Sequence, residues 1–507
     1  MSSPCADAEP ADTAEPDVLG FIRALHLSPL ASFPTPGQTD WSRAPPFLPQ
    51  RLGATLIELP GAEPPWQGRF GEEEAFSRLG AWLAMSLMCH RTRFDPAAAG
   101  SVPAARRALA SGGAAYPADL YLRFGIGWAA VSPLLPRHAW LYLPHHHALA
   151  AHDEADPLAA AEGVEATLVT VLSRTAFKYR EFAYRLSAVD TGLALGRLLA
   201  AARACGAKVA AKCSRGDEGL ALVEPEEQAA ARLVCSMGVP IAAQAREQPE
   251  RLALRVEAGH GTRLRAISAG QPAVFAALGL ASSPNPPVPP PRQAAVPALE
   301  RIPLPAPAEP LSAGFPAAVH ARRSQAPGFS GVPAPLSALA SCLRSAEAAL
   351  GGLGAFAVDA SVRLGCTAIA VADREPFTGV FDRETGSIAV TGRGSAADRL
   401  GRAMLIRSFD MRQCSFVLHV LADFERPCLV AGAAGYRRSQ IAVGAMLDAA
   451  TMAAVDARLS AHAFLGFSAP DIGPLYGLEP NGSLQPVAQL CIGHPRPGLQ
   501  WETAIVG

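Results

Sequence analysis

Two long helical patterns dominate the distribution of apolar and polar positions along the chain. Over residues 184–205, Leu186, Val189, Leu193, Gly196 and Ala200 recur at helical spacing, and Leu195, Leu198 and Leu199 make the opposite side apolar as well. A helix that is apolar nearly all round belongs between layers rather than on a surface. Residues 439–459 repeat the pattern, with Asp448 and Asp456 marking a narrower polar face. Short strand-like runs occur at 118–124 and 139–143, and again at 379–382. The apolar run 79–89 is about half the ~18 residues needed to span a bilayer, so no membrane association is expected.

A run of prolines from Pro284 to Pro310 interrupts these patterns. Proline fixes φ and removes a backbone donor, so this stretch cannot hold a helix or a central strand and reads as an extended linker. The expected organisation is an acidic, disordered segment 1–17, a first domain 18–281, a linker 282–310 and a second domain 311–507. Both domains mix helix and strand, an α+β class.

The two domains open their long helices alike. Ala183-Tyr184-Arg185-Leu186-Ser187 and Gly435-Tyr436-Arg437-Arg438-Ser439 stand 252 positions apart, and Arg174 and Arg426 hold the same offset. Matched features in the same order point to duplication.

Composition narrows the function. The 507 residues carry 44 Lys+Arg against 45 Asp+Glu, a net charge of −1, which supplies no basic field for nucleic acid. The N-terminus is acidic before Arg23, the reverse of a secretory leader, so a cytoplasmic location is expected. Ten cysteines without a Cys-x-x-Cys pair suit reduced, buried residues. His145-His146-His147 is a poor metal site, because neighbours on an extended strand point to alternate faces. No metal is expected.

Three segments could carry chemistry. Ser111-Gly112-Gly113 ahead of a strand lets backbone N–H groups approach a flat or anionic ligand. Lys178-Tyr179, just before the long helix, could accept and donate protons if burial depresses the lysine pKa. Arg322-Arg323-Ser324 offers two guanidinium forks and a hydroxyl suited to phosphate.

Together these segments resemble a known family. Ser111-Gly112-Gly113-Ala114 with Pro117, then Leu141, Tyr142, His145 and Leu149, then Lys178-Tyr179 and Tyr184-Arg185, are similar to the SagB-type azoline dehydrogenases of the FMN-dependent nitroreductase superfamily. Arg322-Arg323-Ser324 resembles the superfamily's Arg-Arg-Ser opening, and Gly493-His494-Pro495 its closing strand. Asp40-Trp41, Pro45, Phe47 and Leu59-Pro60 resemble the lead-in of two-domain members.

The resemblance implies a nitroreductase-like fold in two tandem domains that form an intramolecular pseudo-dimer. It also implies FMN as cofactor and hydride transfer from an azoline ring in a modified peptide or a related small substrate. Peptide-modifying partner proteins follow from the same reading. The implied cofactor-binding residues are Ser111, Gly112, Gly113, Tyr184, Arg185, Arg322, Arg323, Ser324 and Arg496, with Lys178 and Tyr179 catalytic. A reductase of nitro, quinone or enone substrates fed by NAD(P)H, and a non-catalytic partner, remain as alternatives. Each half departs from the pattern where the other keeps it. The first lacks an Arg-Arg-Ser opening, with Arg91 and Arg93 its nearest basic pair. The second lacks the Ser-Gly-Gly loop and has Val430-Ala431 in place of Lys178-Tyr179. One composite flavin site is therefore expected, with the symmetry-related site empty.

Overall fold

The computed structural model describes residues 18–33, 53–60, 75–93, 104–161, 163–212, 228–236, 298–306, 314–323, 328–353, 362–406, 410–496 and 502–504, with a few isolated positions between 39 and 49. Segment 1–17, most of the linker, Ser324, Trp41 and Phe47 lie outside the described residues.

The first half contributes β1 (Leu56–Glu58), β2 (Cys89–Arg93), β3 (Ala104–Arg107), β4 (Ala118–Phe124), β5 (His138–Leu143), β6 (Ala148–Glu154), β7 (Gly163–Thr170), β8 (Lys208–Lys212) and β9 (Gln228–Ser236). The second contributes β10 (Glu300–Pro303), β11 (Val362–Ala368), β12 (Phe377–Asp382), β13 (Ser387–Arg393), β14 (Phe416–Asp423), β15 (Ser460–Phe464), β16 (Leu484–Gly493) and β17 (Glu502–Ala504). They form two seven-stranded sheets, ordered β1-β6-β5-β4-β7-β9-β8 and β10-β13-β12-β11-β14-β16-β15, and a three-stranded sheet β17-β2-β3. Counted from its own first sheet strand, each half has the same order. The duplication suspected from the 252-residue offset is therefore built into the topology.

Strand β10 falls inside the stretch expected to be linker. It is an edge strand, where Pro303 costs no interior ladder bond, so proline did not exclude it. The three histidines also differ from expectation. They occupy the turn between β5 and β6, not a strand; His147 turns inward to Tyr142 (2.9 Å), while the His145 and His146 rings lie 4.1 Å apart.

Five helices matter for the site: α1 (Val18–Leu27), α2 (Ser173–Tyr179), α3 (Ala183–Ala204), α4 (Phe315–Ala321) and α5 (Arg426–Asp456). Helices α3 and α5 are the two long apolar segments of the sequence, and they pack on each other between the sheets. One continuous apolar cluster runs through both halves. Helix α5 begins earlier than the pattern suggests because it carries a bend. Gly432 has φ 59° and ψ −155°, and Arg180, 252 positions earlier, has φ 49° and ψ −129°. The same unusual backbone step precedes α3 and bends α5 at the equivalent position.

The chain ends cross between the halves. Helix α1 docks on the second half through Arg23, which pairs with Glu425 (2.8 and 2.9 Å), and through His26, which bonds Tyr436 (2.9 Å) and stacks on Phe424. Strand β17 returns to pair with β2 of the first half.

Candidate functional site

A cavity of about 220 Å³ opens on the seam between the halves. The first half lines it with the Ser111–Gly113 loop, Tyr179 and, from α3, Leu186 and Asp190; Phe33 enters from the N-terminal arm. Ile406, Leu447 from α5, and His462 to Gly466 at and beyond β15 close it from the second half. No single half builds it.

The loop before β4 is tightly turned. Gly113, Ala114 and Tyr116 all have positive φ (63°, 55° and 45°), a strained arrangement for the two non-glycine residues. Asp190 secures it: its Oδ2 accepts a hydrogen bond from Ser111 Oγ at 2.6 Å and from Gly112 N at 3.0 Å. Ser111 Oγ accepts in turn from Tyr116 N at 2.9 Å. The glycines line the cavity and are also tied to their neighbours. The Gly112 N–H is engaged by Asp190, and the missing side chains admit neighbours of the loop. A Cβ on Gly113 would stand 2.7 Å from the Tyr179 hydroxyl and 3.0 Å from Lys178 Nζ; one on Gly112 would overlap Leu186.

Lys178 and Tyr179 close helix α2, whose first turn is fixed by the buried ion pair of Arg174 with Asp119 on β4 (2.5 and 2.6 Å). Arg174 also donates to the Tyr116 carbonyl at 3.3 Å, tying the helix to the end of the loop. Burial lowers the Lys178 pKa from that of an ordinary lysine. It pushes the Tyr179 hydroxyl up to about 12, with a contribution from Asp190. Burial raises Asp190 itself to about 7 against the opposing hydrogen bonds from Ser111 and Gly112.

The remaining candidates occupy other places. Tyr184 stacks on Tyr436, its counterpart at the 252 offset, with ring centroids 5.9 Å apart, and meets Phe21 edge-on. Arg185 is 1 % exposed and donates to the Leu25 carbonyl of α1 (3.2 Å) and to the Val487 carbonyl of β16. Neither lines the cavity; both fasten the N-terminal arm and the seam.

Arg322 is buried on the same seam and reaches the carbonyl of Arg107, four residues before Ser111 (3.4 Å). Its pKa is lowered to about 10, chiefly by burial. Arg91, noted in the sequence only as part of a displaced basic pair, donates to the carbonyls of His320 and Arg322 and so caps the end of α4 from the other half. Arg323 and Arg496 are exposed, and the Arg496 segment is held to Gly328 and Phe329 by backbone contacts.

Asp448 does not mark a polar face. It is 2 % exposed and forms a two-pronged ion pair with Arg197 across the seam (2.8 and 3.1 Å). Asp190 is the functional candidate missing from the sequence reading. Its signal was available, as the one carboxylate within a long, mainly apolar helix; such a buried acid needs a specific partner.

The cavity chemistry fits the ring portion of FMN, with apolar walls from both long helices and polar groups at Tyr179, Asp190 and His462. Arg323 and Arg496 are exposed and stand outside the cavity lining, and Arg322 is buried in the seam. Among the described residues, no His/Cys/Asp/Glu group suits a metal ion and no helix is long and apolar enough to cross a membrane.

No family model and no curated protein matches the chain. Among solved structures, a protein of Anabaena variabilis assigned as a nitroreductase aligns over 94% of this chain and 99% of its own, with TM-score 0.72 and 17% identity. A nitroreductase assigned in Ralstonia eutropha covers 43% of this chain and 100% of its own (TM-score 0.31, 17% identity). The Escherichia coli microcin synthetase McbBCD complex covers 35% and 70% (TM-score 0.29, 12% identity); these two overlaps are too slight to carry an argument. The chain has the nitroreductase fold, with two like sheets in one polypeptide.

Proposed function

We propose that the protein is an FMN-dependent oxidoreductase with one composite flavin site, and that it dehydrogenates azoline rings in a modified peptide or a related small substrate. The supporting observation is the seam cavity. The Ser111–Gly113 loop and Tyr179 line it, Lys178 Nζ lies against Gly113 of that loop, and the second half closes the opposite wall. The FMN requirement and the substrate class come from the sequence resemblance and the fold.

When bound, the flavin supplies the two-electron acceptor for hydride. The remaining work belongs to the chain. Leu186, Val189, Leu447 and Phe464 exclude water and hold a flat ring, while Arg323 and Arg496 would meet the phosphate. Aromatising an azoline requires loss of a proton from carbon, and Lys178, whose pKa burial lowers in the direction a proton acceptor needs, is assigned that role. Tyr179, pushed to about 12, keeps its proton at neutral pH and acts as a hydrogen-bond donor to the substrate. The two residues thus take different roles.

The test is the visible spectrum and flavin stoichiometry of the purified protein, followed by anaerobic addition of an azoline peptide and, separately, NADPH. One flavin per chain, bleached by the azoline, is expected. Bleaching by NADPH alone would identify a reductase, and two flavins per chain would refute the single composite site. No flavin at all would leave a non-catalytic partner.

A further inference from the structure

We infer that Asp190 is a positioning residue that holds the Ser111–Gly113 loop against α3 and thereby sets the Lys178–Tyr179 pair at the cavity. The inference rests on the cavity being the ligand site. It deepens that reading by naming the group on which the site's geometry depends.

The geometry is a short relay. Asp190 Oδ2 takes both Ser111 Oγ and Gly112 N, and Ser111 Oγ then takes Tyr116 N, so one carboxyl fixes both ends of the turn. Three residues of that turn have positive φ, and without a tether this strained backbone would relax. Gly113 sits at the apex, directly against the Tyr179 hydroxyl and Lys178 Nζ. A shift of the loop therefore moves the floor beneath both reactive side chains. Arg174, fixed to Asp119 and to the Tyr116 carbonyl, anchors the other side of the same frame.

The relay depends on pH. Among ionisable groups, Tyr179 feels the Asp190 charge, Tyr179 and His462 of β15 line the same cavity, and Lys178 lies on the far side of the loop against Gly113. Asp190 titrates near 7 because burial opposes its charge. A ligand seated in the cavity displaces water and disfavours the carboxylate further, so binding is tighter to the protonated form. Affinity should fall as pH rises through about 7.

The experiment uses the full chain with Asp190→Ala, Asp190→Asn and Ser111→Ala. Amide hydrogen exchange without cofactor reads the tether directly. In Asp190→Ala the Gly112 and Tyr116 amides should exchange about tenfold faster, the equivalent of one lost hydrogen bond. Asp190→Asn, which keeps an acceptor oxygen, should restore most of the protection. FMN titration over roughly pH 5.5–8.5, the span around the Asp190 midpoint, reads the charge. Wild type should weaken as pH rises, Asp190→Asn should be flat, and Ser111→Ala should shift the midpoint upward by removing a bond that favours the charged form.

Unchanged exchange in Asp190→Ala, or a wild-type pH dependence in Asp190→Asn, overturns the inference. If no form binds FMN, the cavity reading falls and the exchange data alone decide whether Asp190 holds the loop. If Asp190→Ala does not fold, faster exchange of the two amides in Ser111→Ala is expected, and unchanged exchange there refutes the tether.

Discussion

Gly192 and Gly444 meet backbone to backbone across the seam. A Cβ on Gly192 would stand 2.0 Å from the Ile441 carbonyl oxygen, and one on Gly444 would stand 2.0 Å from that of Val189. All four positions are related by the 252-residue offset, so a pseudo-twofold axis passes between these helices. The helices pack closely here because neither carries a side chain at the contact. Gly192→Ala or Gly444→Ala must push α3 from α5, at a cost of about 1–3 kcal/mol or more. Thermal unfolding should show a lower Tm in both variants. Gly401→Ala, with nothing within 4 Å, should leave Tm unchanged or slightly raised.

The Arg197–Asp448 pair has no symmetric counterpart and lies fully within the seam. Asp448→Ala leaves a buried guanidinium without its carboxylate, which should cost about 3–5 kcal/mol. Denaturant unfolding monitored by intrinsic fluorescence should show this loss. Replacing both partners by apolar residues should recover most of it.

Lys178 and Tyr179 separate by role. Lys178→Met should keep flavin binding and reduce turnover by about 10²–10⁴-fold, the range for loss of a general base. Tyr179→Phe should be milder and fall mainly on KM, since a substrate hydrogen bond rather than a proton acceptor is lost. Steady-state kinetics alongside flavin titration distinguish the outcomes.

Acid should destabilise the fold below neutrality. His90, His147 and His419 are buried and their pKa values lie near 4 rather than 6.5, with burial the leading cause. Their folded pKa values are depressed, so the unfolded chain binds protons first. Stability is full above about 6.5 and is lost as pH falls towards 4, on the order of 3 kcal/mol per histidine. His419, held between Tyr476 (2.6 Å) and Gln489 (2.9 Å), is the clearest case. Equilibrium unfolding between these pH limits should show the slope, and His419→Gln should reduce it.

Phe33 reaches the cavity from a segment with no motif of its own. Its ring lies 4.9 Å from Phe182 and 6.5 Å from Tyr179, and a Cβ on Gly466 would stand 3.2 Å from it. Phe33→Ala should widen the cavity and lower KM for bulkier substrates relative to small ones. A substrate series compared by KM ratio checks this.

Local patterning was enough to mark α3 and α5 as buried helices, because side chains apolar on every face have nowhere else to go. The repeated Tyr-Arg openings also exposed the duplication, since equal spacing survives in a linear chain. The proline argument failed at β10 because edge strands tolerate what central strands do not. For the candidate site, the sequence reading grouped the Ser111–Gly113 loop with the Lys178–Tyr179 pair, which the fold brings together, and with Tyr184 and Arg185, which it places elsewhere. Tyr184 and Arg185 follow that pair closely in sequence, yet the backbone break at Arg180 puts them on the next helix, facing the seam and the N-terminal arm.

The chain's own order of residues determined that there are two related halves, each with a buried helix, and that one half alone carries the diglycine turn and the lysine–tyrosine pair. Helical periodicity and fixed spacing are local properties and need no partner to be recognised. Only the folded molecule decided that Asp190 would grip the turn, that Asp448 would be buried against Arg197, and that Phe33 and His462 would share one cavity. Those relationships join positions tens to hundreds of residues apart, and they exist only once two sheets close upon a common pair of helices.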